Sequence, residues 1–289
     1  MTTTHPPTTT TPSALSAGRP WLRMWLLLTV ALGPTLVSMT VGVAEMHGTP
    51  VPHGTSVELV ARSAGIVGAT TWLCTLLNRA GQRSWRFAAV ELAGLIVLCQ
   101  WTESRTAQTL SWSVLVSWLT CTLLSSDGVQ LRDLFRARPL DVRLWRRWSP
   151  AVVAFAGLWF AAIVSVLLAR LLAARLPAWV PALHSSQEQA LGWTTTTFAV
   201  ANIVWSVVAE ELLMTAAVTI LVRAAGRPLR QTYAVSVSIR VLCHGYLGLP
   251  AVAMAVLGVV SLYLYRRTGR LGPILAAHAL FDLLPLLAN

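Results

Sequence analysis

The chain has 289 residues, 55% of them hydrophobic and 11% charged, and a mean hydropathy of +0.63. An average soluble domain is about a quarter charged, so the composition argues against a soluble globular enzyme and for a polytopic membrane protein. The formal net charge is +11, and every one of the 22 basic residues is arginine. Most arginines fall between apolar runs, which assigns the charge to lipid and topology and not to nucleic acid. The absence of lysine points to a GC-rich bacterial genome. Cys74, Cys99, Cys121 and Cys243 lie in apolar runs without metal-ligand spacing and read as small buried hydrophobes.

Residues 1–20, rich in threonine and proline, form a tail too polar to order itself. A bilayer core of about 30 Å takes about 20 helical residues. Apolar runs of roughly that size occupy 24–44, 57–77, 86–102, 107–124, 151–173, 192–222, 232–248, 250–265 and 271–287. Several are short, so the expectation is an all-α, polytopic transmembrane helix bundle of eight or nine spans. Helices are expected because only they satisfy every backbone group internally in lipid. The first run is long for a cleaved signal and reads as a span. All 13 tryptophans lie at or before Trp205. The chain thus divides into a Trp-rich set of N-terminal helices, 21–185, and a C-terminal core, 186–289.

The arginines orient the bundle. With the N-terminus in the cytoplasm, 17 of the 22 fall in cytoplasmic segments: 19–23, 79–86, 132–147, 223–230 and 266–270. The opposite loops hold only Arg105 and Arg175, with Arg170 at a helix end. This is the asymmetry of positive-inside topology; with nine spans it places the C-terminus outside.

Ionisable residues inside spans are rare and usually functional. The C-terminal core has six: Glu210, Glu211, Arg240, His244, His278 and Asp282. Arg62 and Glu91 in earlier spans lack polar neighbours at helical spacing and read as structural. The stretch RVLCH sets Arg240 and His244 four apart on one helix face, and HALFD does the same for His278 and Asp282. Glu210 and Glu211 point about 100° apart on an α-helix, so one can do chemistry while the other is held by a partner. Counting about 1.5 Å per residue places Glu210 and His244 about 18 Å from their arginine-marked ends, and His278 about 10 Å. Such a set can activate water, since a carboxylate in an apolar cavity suits a general base. It can also bind a metal or relay protons, or simply hold helices together. Spacing alone leaves all of these open.

Residues from about 190 to 287 resemble the CAAX prenyl protease and bacteriocin-processing family (CPBP, or ABI) of intramembrane proteases. The family's motifs are EExxxR, FxxxH and HxxxN/D on successive helices. Here they read EELLMT at 210–215, RVLCH at 240–244 and HALFD at 278–282, and the approach YRRTGRLGPILAAHALFDLL is similar to the family's. The resemblance implies a glutamate endopeptidase that uses no metal or other cofactor. Its substrate would be a peptide or membrane protein, its setting the lipid bilayer of a bacterial cytoplasmic membrane, with no nucleic acid involved. By the same resemblance Glu210 is the general base, His244 helps hold the water, and His278 with Asp282 forms the oxyanion site. Glu211 supports the arrangement. The motif's arginine is Thr215 and its phenylalanine is Arg240. An unpaired buried arginine is costly, so Arg240 is expected to replace the missing cation by pairing with Glu211; the alternative is that it snorkels to the interface. An ionised Asp282 cannot donate to an oxyanion and would instead orient or accept from His278. An inactive family member serving as an interaction or immunity protein, or a proton-coupled transporter, are the competing functions.

Overall fold

The computed structural model describes residues 14–46, 55–79, 83–135, 150–177 and 195–288. Among these residues the chain forms helices α1 (Ala14–Met46), α2 (Thr55–Arg79), α3 (Arg83–Cys99), α4 (Arg105–Ser126) and α5 (Pro150–Arg175). There follow α6 (Thr196–Ala224), α7 (Leu229–Cys243), α8 (Met254–Thr268) and α9 (Leu271–Ala288). No strand occurs among the described residues, so the all-α bundle expected from composition is what forms.

Among the described residues six helices, not eight or nine, are long and apolar enough to cross a membrane: Arg19–Val41, Leu59–Arg79, Arg105–Ser126, Ala151–Arg175, Thr196–Ala224 and Leu249–Thr268. The remaining runs produce helices, but short ones. α3 has 17 residues and α7 has 15, and the apolar part of α9 covers only Leu271–Leu284. At about 1.5 Å per residue these stop short of a 30 Å hydrocarbon core. The run at 232–248 fails as a span because its helix ends at Cys243. Beyond it the backbone turns through two short 3₁₀ segments, Gly245–Leu247 and Leu249–Ala253, joined at Gly248 with φ 68°. That left-handed backbone suits glycine alone. α1 also starts earlier than expected, at Ala14, so residues 14–20 belong to a helix; residues 1–13 lie outside those described.

Contacts gather the arginine-bearing ends at one face of the bundle. Arg23 near the start of α1 pairs with Asp127 at the end of α4. Arg227, after α6, lies over the Trp21 ring at 5.2 Å. Phe135, after α4, sits beside Gly272 at the start of α9. Residues 136–149, which hold most of the arginines of the long loop, lie outside those described.

The apolar surface faces outward where lipid would lie: Phe160, Leu167 and Leu171 of α5 are 69%, 53% and 61% exposed. The interior centres on α6, where Ala209 to Val218 are all buried, in contact with α1, α4, α7, α8 and α9. The centre of α6 is not α-helical. Val208–Ala217 forms a π-helix, set between α-helical Thr196–Val207 and Val218–Ala224. Such stretches are rare and concentrate at functional sites.

α7 runs in from the arginine-bearing end and α8 returns to it. Gly258 of α8 has no Cβ to push away the Arg240 side chain, whose Cδ would be 3.3 Å from one. α8 stops at Gly269 in the left-handed conformation (φ 63°), a common helix C-terminus. The helix end, the hairpin and the π segment together bring all three motifs to one point.

Candidate functional site

Arg240 is fully buried, among the largest fully buried side chains of the protein. Its guanidinium sits between the two glutamates. Nη1 is 3.2 Å from Glu210 Oε2, and Nη2 is 3.1 Å from Glu211 Oε1. Nη2 also donates to the Glu210 main-chain oxygen at 2.8 Å and to Thr215 Oγ1 at 3.3 Å. The pairing of Arg240 with Glu211 is therefore present. It extends to Glu210, and full burial rules out snorkelling for this side chain. The position of the motif arginine, Thr215, faces the same guanidinium across a single hydrogen bond.

The two glutamates then diverge. Glu211 is completely buried and surrounded by donors: Ser261 Oγ, Arg240, and His278 Nδ1 at 2.9 Å from Oε1, with Thr215 Oγ1 3.2 Å away. Ser261 and Thr215 also bond each other at 3.1 Å. A buried carboxylate persists only when so satisfied. Glu210 is 6% exposed and faces the other way. Its Oε1 lies 3.6 Å from His244 Nε2 and 3.4 Å from Ser206 Oγ.

The π segment helps explain how adjacent residues serve both partners. Its carbonyls are not all used by the i to i+4 ladder. The Glu210 carbonyl instead receives Thr215 Oγ1 at 2.9 Å as well as Arg240 Nη2. An α-helical reading of the sequence could not anticipate this.

His244 caps the end of α7, with Nδ1 2.9 Å from the Arg240 carbonyl oxygen. A carbonyl only accepts, so Nδ1 carries the proton and Nε2 turns to Glu210. Nε2 lies 3.6 Å from the carboxylate, so a water beside the pair can hydrogen-bond to both. His278 bridges in the other direction: Nδ1 to Glu211, Nε2 to Ser206 Oγ at 3.3 Å and to Asp282 Oδ2 at 3.4 Å. Ser206 Oγ is in turn 3.4 Å from Asp282 Oδ2. Ser206, His244 and Asp282 are half-buried and line the open side of the cluster.

All six residues singled out in the sequence thus meet at one place. Ser206, Thr215 and Ser261 complete it. Ser206 was legible in principle, four residues before Glu210 and so on its helical face. Ser261 comes from α8 with no local signal at all. Arg62 and Glu91 lie elsewhere: Arg62 donates to Gln108, and Glu91 is exposed on α3.

Ligand atoms of Glu210, Glu211 and His278 lie within 4.8 Å of one another, close enough to hold a metal ion. The Arg240 guanidinium already sits against both carboxylates. A divalent cation in that space would face a fixed positive charge at close range, so the donor set fits a metal poorly.

Long apolar helices around a buried carboxylate, imidazole and guanidinium cluster define an integral membrane protein with a polar centre inside its bundle. Residues 192–284 match the family model described as type II CAAX prenyl endopeptidase Rce1-like, so the C-terminal third of the chain is similar to that family. No curated protein and no solved structure matches the chain.

Arg240 should be hard to replace. Removing one partner of a buried ion pair costs about 3–5 kcal/mol. Arg240→Phe is expected to lower thermal stability in detergent markedly, and Thr215→Arg added to it is expected to recover part of the loss. A silent Arg240→Phe in the same melting assay would show that the guanidinium is dispensable.

Proposed function

We propose that the protein is an intramembrane endopeptidase in which Glu210 activates water to cleave a peptide bond. The observation that carries this reading is the division of labour between the two glutamates. One is held in full burial by Arg240, His278 and Ser261, with Thr215 beside it; the other lies 3.6 Å from an imidazole, on the open side of the cluster. The family match over residues 192–284 supports peptide hydrolysis as the reaction class.

Glu210 takes a proton from a water that hydrogen-bonds to it and to His244. The water oxygen attacks the peptide carbonyl carbon, and the carbonyl electron pair moves onto its oxygen. That oxyanion lies toward His278, whose Nε2 donates to it in the doubly protonated ring. The intermediate then collapses: the C–N bond breaks and the leaving nitrogen takes the proton from Glu210. Glu211 and Arg240 do not touch the reacting atoms. They hold His278 and Glu210 in place and balance their charge.

The substrate is a peptide segment of a membrane protein or a membrane-bound peptide. Half-buried Ser206, His244 and Asp282 mark the side from which it enters. The arginine distribution supports a cytoplasmic N-terminus and a cluster toward the cytoplasmic half of a bacterial membrane. The Trp-rich helices 21–185 serve as the scaffold and 186–289 as the reacting core.

Cleavage of membrane-derived peptides by the purified protein is the direct test. Glu210→Gln is isosteric and lacks a basic carboxylate, so it should cost at least about 10²-fold in turnover with little change in melting temperature. Turnover close to wild type in this variant would end the glutamate mechanism, and no cleavage by the wild type would leave a family member that keeps the fold without the reaction.

Strong chelation should leave the rate unchanged, because Arg240 supplies the positive charge at the glutamates. Loss of activity on chelation, restored by zinc, would point to a metallopeptidase.

Single-cysteine accessibility should find positions 227 and 269 reactive from the cytoplasmic side. Labelling of these positions from the outside would overturn the assigned orientation of the core.

A further inference from the structure

The cluster contains one hydroxyl that bridges the proposed base and the proposed oxyanion pair. Ser206 Oγ lies 3.4 Å from Glu210 Oε1, 3.3 Å from His278 Nε2 and 3.4 Å from Asp282 Oδ2. It is the only side chain among the described residues that reaches both the proposed base and the proposed oxyanion pair. Thr215 and Ser261 lie on the other side, bonded to Glu211.

Asp282 raises a chemical problem for that pair. An oxyanion needs hydrogen-bond donors, whereas a carboxylate only accepts. His278 Nε2 therefore provides one donor, and Asp282 provides none. We propose that Ser206 is a further catalytic residue, whose hydroxyl supplies the second hydrogen bond to the developing oxyanion. This deepens the peptidase reading and rests on it.

The geometry allows the role without any backbone movement. A serine hydroxyl carries one proton on a freely turning bond and can accept at the same time. Before reaction the proton points to a carboxylate, Asp282 or Glu210, while the oxygen accepts from His278 Nε2. When negative charge builds on the substrate carbonyl oxygen beside Nε2, rotation about Cβ–Oγ turns the proton toward it. No bond to Ser206 forms or breaks. Asp282 remains an acceptor that steadies His278 through the 3.4 Å contact.

The test is steady-state cleavage by the full chain, with wild type and Glu210→Gln as reference. Ser206→Ala should lower kcat by about 10²-fold with KM little changed, since the bond forms only in the transition state. Ser206→Thr keeps a hydroxyl and should retain most of the rate. Asp282→Asn restores an amide donor at the same place, so the double variant Ser206→Ala/Asp282→Asn should turn over faster than Ser206→Ala alone. Melting curves of each variant separate misfolding from lost chemistry. The proposal is overturned if Ser206→Ala is as active as wild type, or if the added Asn gives no gain in a folded double variant. Covalent labelling of Ser206 by a fluorophosphonate probe would also overturn it, in favour of a nucleophile activated by His278. If the wild type cleaves nothing, the peptidase reading falls first and this role with it; if the wild type cleaves and Ser206→Ala is silent, only the role of Ser206 falls.

Discussion

The C-terminal core is organised around one buried guanidinium. Arg240 brings a full positive charge to the centre of the bundle, where an isolated ion is several kcal/mol out of balance. Its position is tolerable only because Glu210 and Glu211 converge on it from α6, at 3.2 and 3.1 Å. The reverse holds equally: two adjacent carboxylates can be buried because a single fork-shaped cation meets both. Arginine suits this better than lysine, since its planar fork addresses two acceptors at once. Much else in the core follows from that mutual dependence. Gly258 leaves room for the arginine stem, and Thr215 is small enough to let the guanidinium pass and to bond it.

The same constraint shapes α6. An α-helix turns adjacent side chains about 100° apart, which would carry one glutamate away from the shared cation. In the π segment both remain within reach of it, and the Glu210 carbonyl also accepts from Thr215 and Arg240. Burial of every residue from Ala209 to Val218 adds packing on all sides. The geometry is thus held by contacts from five other helices and not by local propensity.

A second consequence concerns the half-length helix α7. It ends at Cys243, with His244 as its cap, in mid-bundle. A helix end leaves carbonyls without partners. His244 satisfies the Arg240 carbonyl through Nδ1, and this fixes its free nitrogen toward Glu210. What looks like an interruption in a span is the means of aiming an imidazole.

The sequence by itself determined the membrane setting, the all-helical class and the position of the polar residues. These follow from composition, from apolar run length and from spacing four apart, all properties of a chain read locally. It also showed that Arg240 needed a partner, because the energy of an unpaired buried charge is independent of fold. Span count was beyond it: an apolar run of 17 residues reads the same whether its helix crosses the bilayer or stops at a turn, and Gly248 decides this only in three dimensions. Ser261 and Ser206 entered the cluster by helix packing across 50 and 72 positions of the chain, to Glu211 and His278 respectively. Only the tertiary structure decided that Arg240 serves both glutamates, that Glu211 is the saturated one and that Glu210 is open. The physical reason is that a carboxylate's role is set by which donors reach it, and those donors come from other helices.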